Sequence, residues 1–544
     1  MNRLARLERT PFLVWTPFAL GCAGSFFLSA CVDSSVSDAE SSDEIVVTDV
    51  HVTVRPDEIR QVVPPYAYGM HTSVYDNALH DPALPEQLDE AGITMLRYPG
   101  GSYSDLYHWS NHTMTPQYNG DRGYLAERSD FGSYVSVVDR ADVAVMITAN
   151  YGSNLEGSGG GEPNEAAAWV AYANGSPDDE TVIGVDSKGH DWQSVGTWAS
   201  LRAANPLPED DGRNFLRISH PEPLGIVYWE IGNEIFGNGF YDPPGWEFDL
   251  HAPYEDSSDD YADRQGDPDL SGGRYGTEVL RYIDAMKAVD PDIKVGAVLV
   301  TPPYDYSWAP DWNDDVLGEC GEQIDFAILH WYPRESSFLR GPADLIPAMF
   351  TELGRSLSEH APEGADDIEV VVTEVGNPVD SGQHTREVGG IFAADAYLGF
   401  IEQGVTNIDW LELHNRTFLS ERDDSRGPAF WGISLANRVA AAGDALVESS
   451  SSRNYVVVVH AGKRQDGAVT VMLVNTATRT RGQVTIEIDS DALAQTAEMY
   501  RYTPRAEGAA GDRIDGPTPL DREDGEWAVT TEPESVTVLE IPAD

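Results

Sequence analysis

Apolar residues recur along this chain in two rhythms, and the change from one to the other divides it. Between residues 64 and 443, short runs of Val, Ile and aromatic residues alternate with stretches whose apolar positions return every three or four residues. Strands alternating with helices are the mark of a parallel α/β fold. Eight runs read as strands: 66–71, 94–98, 143–150, 225–231, 293–300, 324–331, 368–374 and 406–414. Eight is the number a closed (β/α)8 TIM barrel needs. Helical patterns lie between them. Residues 84–91 stop at Gly92, and 165–173 carry Ala166, Ala167, Trp169 and Val170 on one face. Residues 275–289 stop at Asp290-Pro291, and the apolar, Ala-rich stretch 389–403 stops at Gly404.

After a helix at 433–442 the pattern shortens. Residues 455–460, 468–475, 483–488, 498–502 and 535–541 alternate apolar and polar, with turn residues between. Residues 444–544 therefore read as a C-terminal all-β sandwich, a brace for the barrel with no aromatic row for sugar. A further strand at 45–54 lies within residues 45–63, ahead of Pro64-Pro65, and is expected to join that sandwich. Two connections, 174–223 and 237–273, are long enough to shape a site on the barrel's C-terminal face. The second holds clustered acids from 255 to 269, either a calcium loop or a solvated acidic loop; the spacing fits no calcium-loop template.

The first 44 residues look like targeting. Arg3, Arg6 and Arg9 precede an apolar run from Phe12 to Leu28. Leu28-Ser29-Ala30-Cys31 resembles the bacterial lipobox, which implies a lipoprotein signal over 1–31 and lipid on Cys31; the alternative is a plain signal peptide with an incidental cysteine. Residues 32–44 read as a flexible acidic linker. No other stretch is long and apolar enough to span a bilayer. The expectation is an exported protein at the cell envelope or surface, touching membrane only through an N-terminal lipid anchor.

Charge narrows the partners. Across 544 residues, 91 acidic side chains face 35 basic ones, a formal net charge of -56. That excludes nucleic acid and suits a neutral polysaccharide or oligosaccharide. The acidity is either an adaptation to salt or an extracellular setting, or a soluble acidic shell. Cys22 and Cys31 belong to the leader, which leaves Cys320 alone and no internal disulfide. Gly318-Glu319-Cys320-Gly321 reads as a loop before a strand, with a bystander thiol.

Two strand ends carry the chemistry. Val227-Tyr228-Trp229-Glu230-Ile231-Gly232-Asn233-Glu234 opens as a buried strand and closes on an amide and a carboxylate. Val370-Val371-Val372-Thr373-Glu374 ends on another carboxylate. Paired strand-end glutamates are the equipment of a glycosidase. Glu234 suits the general acid, Asn233 a sugar hydroxyl, and Glu374 the nucleophile of a retaining mechanism. Arg97, at the end of the second strand, keeps Glu374 ionised or forms a structural ion pair. In His330-Trp331-Tyr332, His330 or Tyr332 orients the nucleophile, unless His330 is a core histidine. Trp410 is a sugar-stacking platform or core. No metal spacing, phosphate loop or dinucleotide fingerprint stands out, so neither metal nor cofactor is expected.

Gly232-Asn233-Glu234 followed strands later by Glu374 resembles the glycoside hydrolases of clan A. Arg97-Tyr98-Pro99-Gly100-Gly101, with Tyr107-His108-Trp109, and the segment from Glu165 to Asn174 are similar to the α-L-arabinofuranosidases of family 51. The resemblance covers residue 66 to the C-terminus. It implies a barrel with a sandwich, Glu234 as acid/base, Glu374 as nucleophile, and Asn150 and Asn233 as sugar-binding amides. Two departures stand out. The family's sugar-binding Glu-His after the first strand is not matched by Gly69-Met70-His71-Thr72-Ser73, and its glutamine near the last strand is not evident in Asp409-Trp410-Leu411-Glu412. Endo-acting β-glucanases and xylanases of the clan keep the same two glutamates, and a non-catalytic carbohydrate-binding lipoprotein is the reading from another class.

Overall fold

The computed structural model describes residues 45–115, 123–152, 161–237, 272–303, 311–334, 337–377, 382–420, 422, 425–490, 492–504 and 514–544. The leader with Cys31, the acidic linker and the acidic loop 255–269 lie outside the described residues.

The described residues open with a long strand, β1 (Val46–Val62). Eight parallel strands follow: β2 (Tyr68–His71), β3 (Met95–Tyr98), β4 (Ala144–Ala149), β5 (Tyr228–Ile231), β6 (Lys294–Val298), β7 (Phe326–Trp331), β8 (Glu369–Val375) and β9 (Asn407–Trp410). Each pairs with the next, and β9 returns to β2, closing a barrel. Helices between strands cover the outside, so most strand residues are buried on both faces and read as unbroken apolar runs. The helices end where their sequence says they should. Gly92, in the left-handed region at φ 76°, closes Leu84–Ala91 and donates its N–H to the carbonyls of Leu88 and Asp89. Asp130 caps Phe131–Ala141 by accepting from the Ser133 N–H.

Eight further strands follow the barrel: β10 (Ala445–Ser451), β11 (Val457–Lys463), β12 (Val469–Asn475), β13 (Thr480–Ile488), β14 (Thr496–Tyr502), β15 (Asp515–Asp521), β16 (Trp527–Thr531) and β17 (Ser535–Ile541). With β1 they form one sheet in the order β15-β14-β17-β12-β11-β10-β1-β13-β16. Trp527 and Val529 of β16 share one core with Ala497 and Met499 of β14, from the other end of that order. The sheet is therefore folded over on itself as a sandwich. β1 lies inside it, antiparallel to β10 and parallel to β13. Its bulges between Arg55 and Gln61 let it run on to Val62, beyond the expected strand.

The barrel core continues into the sandwich through Val458, Met472, Val474, Tyr502, Val536 and Val538. Cys320 is not in a loop. It ends the helix Trp312–Cys320, buried, with its S–H aimed at the Val316 carbonyl at 3.3 Å. Burial raises the thiol to about 12, so it is inert at neutral pH. No helix among the described residues is long and apolar enough to cross a membrane.

Candidate active site

Arg97, next to last in β3, is fully buried at the C-terminal mouth of the barrel. Its guanidinium gathers the strand ends around it. Nε donates to Glu230 Oε2 at 2.6 Å, one terminal nitrogen to Glu374 Oε1 at 3.1 Å, and the other to Asn233 Oδ1 at 3.0 Å. The nitrogen that serves Glu374 also lies 3.1 Å from His71 Nδ1. Arginine only donates, so His71 Nδ1 accepts and the imidazole proton sits on Nε2. Burial and the Arg97 charge push His71 down to about 3, which keeps it neutral. The Tyr98-Pro99-Gly100-Gly101 segment wraps this ring. A Cβ at Gly100 would lie 2.2 Å from the Thr72 carbonyl and 2.6 Å from His71 Nε2, so no larger residue fits.

Glu374, at the end of β8, is held from both sides. Tyr332 donates its phenol to Oε2 at 2.6 Å, opposite the Arg97 contact on Oε1. Burial alone would raise this carboxyl. The charges of His330 and Arg97 win, and hold it well below the usual carboxylate range. Tyr332 itself is pushed well above its ordinary value by burial and by Glu374, and so stays a donor.

Glu234 follows β5 and has a different setting. His330 Nδ1 lies 2.9 Å from its Oε1 and 3.6 Å from Glu374 Oε2. Burial works against the His330 proton, but Glu374 and Glu234 together raise it. Both ring nitrogens are then donors, to Glu234 and to Thr373 Oγ1 at 3.1 Å. One donor atom each from Glu234, His330 and Glu374 lie within 4.8 Å of one another. Such a trio has the chemistry to ligate a cation. It also has the spacing of a hydrolytic carboxylate pair, about 5 Å in retaining enzymes. Glu234 keeps 18% of its side chain exposed against 8% for Glu374, so of the two it is the more open to solvent.

Six of the residues singled out from sequence thus meet at one mouth: Arg97, Asn233, Glu234, His330, Tyr332 and Glu374. Two do other work. The Asn150 amide is spent on backbone, accepting from the Gly161 N–H at 2.9 Å and donating to the Tyr107 carbonyl at 3.0 Å. Trp410 is fully buried, its indole N–H bonded to Thr417 Oγ1 and its ring 6.0 Å from Phe392. It offers no open face, which corrects the platform reading in favour of core.

The sequence reading missed several contributors. Glu230, inside the apolar run of β5, also accepts the Thr148 hydroxyl at 2.5 Å. His71 gave no signal beyond its place at a strand end. Glu412, two residues past β9, accepts from Ser73 Oγ and Tyr75 OH at 2.8 Å each. Asp409 is sealed below Arg97. Burial pushes its carboxyl well above the ordinary range, against the pull of the Arg97 charge. A Cβ at Gly69 would sit 1.8 Å from Asp409 Oδ1, which accounts for glycine there.

Strand-end carboxylates and a cationic cradle at the C-terminal mouth of a (β/α)8 barrel define a glycosidase-type architecture. Known proteins bear on which kind. No protein-family model matches the chain. Its curated relatives include a probable α-L-arabinofuranosidase C from Aspergillus fumigatus, 26% identical over 216 residues, covering 39% of this chain and 30% of that protein. Another is an intracellular exo-α-(1->5)-L-arabinofuranosidase from Bifidobacterium longum, 23% identical over 269 residues, covering 48% and 36%. The matched stretch thus spans about a third of these relatives. Among solved structures, the Thermotoga maritima α-L-arabinofuranosidase aligns with a TM-score of 0.66 at 18% identity, over 91% of this chain and all of that one. The family 51 enzyme from Thermotoga petrophila gives 0.64 at 19%, over 90% and 100%. A Paenibacillus polymyxa xyloglucanase of family 44 gives 0.57 at 12%, over 91% and 100%. These likenesses are to glycoside hydrolases, with α-L-arabinofuranosidases among them in both sequence and structure. Barrel and sandwich are the fold these structures share with the chain.

Proposed function

We propose that this protein is a retaining glycoside hydrolase that releases α-L-arabinofuranosyl residues from plant-type polysaccharide or oligosaccharide. One observation carries the reading: Glu234 and Glu374 face one another across His330, within 4.8 Å, in unlike environments. Glu374, charged and gripped by Arg97 and Tyr332, attacks the anomeric carbon. Glu234 gives its proton to the glycosidic oxygen as that bond breaks, and a glycosyl ester forms on Glu374. Glu234, now a base, takes a proton from water. The water oxygen attacks the same carbon, and Glu374 leaves as a carboxylate. The His330 charge sits beside whichever carboxylate is negative at each stage. The arabinofuranosyl preference is supported by the names of the relatives.

Glu374→Gln is expected to lower release of 4-nitrophenol from its α-L-arabinofuranoside by about 10⁴-fold or more while thermal unfolding stays close to wild type. A variant that keeps most of its activity would end the assignment. The likeness to the family 44 xyloglucanase favours, as a second reading, an endo-acting glucanase or xylanase on the same two glutamates. Products separate the two: free arabinose from arabinan and arabinoxylan, or shortened chains from xyloglucan. Export and anchoring through Cys31 are part of the proposal, supported by the lipobox-like segment. Cys31→Ser is expected to abolish incorporation of labelled palmitate, and unchanged labelling would reject the anchor.

A further inference from the structure

Glu234 stands just past the strand that delivers it. β5 ends at Ile231, the chain turns at Gly232 with φ 73°, and a short helical turn opens at Ile235. The direction of the acid is therefore set by whatever holds this turn. Tyr275 donates its phenol to the Ile231 carbonyl at 2.5 Å, and the Gly232 N–H donates to the Ala149 carbonyl at 3.0 Å. Asn233, the residue before the acid, is clamped twice. Its side-chain Oδ1 accepts from Arg97 at 3.0 Å, and its backbone N–H donates to Asp105 Oδ1 at 3.1 Å.

Asp105 comes from another part of the rim. It closes the short helical turn Ser102–Asp105, on the loop after β3, and is fully buried. The same oxygen accepts the Gly152 N–H, on the loop after β4, at 3.4 Å. One carboxylate oxygen thus gathers backbone from the loops after β4 and β5, the two strands that follow its own round the barrel. A charged acceptor makes such bonds shorter and stronger than a neutral one. Sealed from solvent, Asp105 cannot touch a sugar, and its effect must pass through the turn it holds. Glu374 is held by other means, through Arg97 and Tyr332.

We propose that Asp105 is a positioning residue for proton transfer: it fixes the Asn233 backbone and so aims the Glu234 carboxyl at the glycosidic oxygen. This rests on the glycosidase reading above and adds a division of labour to it. Proton transfer needs donor and acceptor within about 3 Å of each other. A misplacement of about 1 Å can cost about 100-fold in rate. Without Asp105 the acid drifts while the nucleophile stays in place. The loss then falls on the steps in which Glu234 moves a proton: departure of the leaving group, and activation of the water that follows. Attack by Glu374 on a sugar whose leaving group needs no proton is left intact.

The test uses the full chain and a series of aryl α-L-arabinofuranosides, from phenyl, which needs a proton to leave, to 2,4-dinitrophenyl, which does not. The matching aryl β-cellobiosides serve the second reading. Asp105→Ala is expected to lose about 100-fold in kcat/KM on the phenyl sugar and less than about fivefold on the dinitrophenyl sugar. On the dinitrophenyl sugar kcat should fall, because water is then poorly activated. Azide should restore it: its nitrogen attacks the anomeric carbon of the glycosyl ester, Glu374 leaves as a carboxylate, and a glycosyl azide forms with no proton to move. Asp105→Asn keeps an acceptor oxygen and drops the charge. It should show the same selectivity on a smaller scale, roughly fivefold on the phenyl sugar, and it carries the test if the alanine variant does not fold. A loss of equal size across the series, in either variant, would mean a structural role and overturn the proposal. So would an alanine variant within about twofold of wild type on the phenyl sugar, or a kcat that azide leaves unchanged. A wild type that cleaves neither set of glycosides would instead overturn the glycosidase reading, and this assignment with it.

Discussion

Two buried clusters in this protein are made of the same residue types and behave differently. At the barrel mouth, His330 lies between Glu234 and Glu374, with Arg97 behind. Where barrel meets sandwich, His460 of β11 lies between Asp395 and Glu402 of the helix Gly389–Glu402, at 2.8 and 2.7 Å, and Arg60 of β1 ties Glu402 to Glu448. At the junction the histidine is held from both sides. Asp395 has 1% of its side chain exposed, and the His460 proton is held on both ring nitrogens, which carries it up to about 10 against its burial. The mouth is open on one side. Among the described residues Glu234 meets the His330 side chain, and with 18% exposure its carboxyl is within reach of a ligand. The histidine at the junction has a carboxylate on each ring nitrogen, whereas the one at the mouth has a carboxylate on one and a threonine hydroxyl on the other.

Removing the cation is the harshest way to break that comparison. Arg97→Met leaves Glu230 and Glu374 buried without their partner. It should cost about 3–5 kcal/mol of stability and erase turnover together. Thermal unfolding and aryl-glycoside assays read the two losses, and a stable, active variant would contradict the cradle. At the junction, His460→Gln should cost a similar few kcal/mol but leave kcat unchanged in the molecules that stay folded. The pH dependence sharpens this. The folded value, about 10, lies above the unfolded one, so the stabilisation is complete below about pH 6.5 and drains away as pH rises through 10. The gap in melting temperature between wild type and variant should therefore close toward pH 10. A gap that stays constant from pH 6 to 10 would refute the hold on His460. The smallest effect is expected from Tyr332→Phe, which removes one donor from Glu374. It should lower kcat/KM roughly 10- to 100-fold with little change in melting temperature. An unchanged rate would place Tyr332 outside the chemistry.

The barrel was legible because its strands are buried on both faces, and such strands announce themselves as apolar runs. Glu234 and Glu374 were legible because they stand where those runs end. What escaped had no such contrast. Ala445–Ser451 is mostly serine and polar residues, and its strand character comes from partners far along the chain. Asp515–Asp521 carries two prolines and is nearly all exposed, an edge strand defined by β14 alone. Glu230 reads as a stray charge until Arg97, 133 residues away, is placed against it. Trp410 had two readings of equal standing, and only its burial decides between them.

The position of β1 has a consequence for how the molecule is made. Its neighbours on either side, β10 and β13, are both encoded after residue 444. β1 cannot find its place in the sheet until the whole barrel has been synthesised behind it. The strand before the barrel and the strands after it are thus stitched together, and the later ones complete the enclosure that the earlier one began.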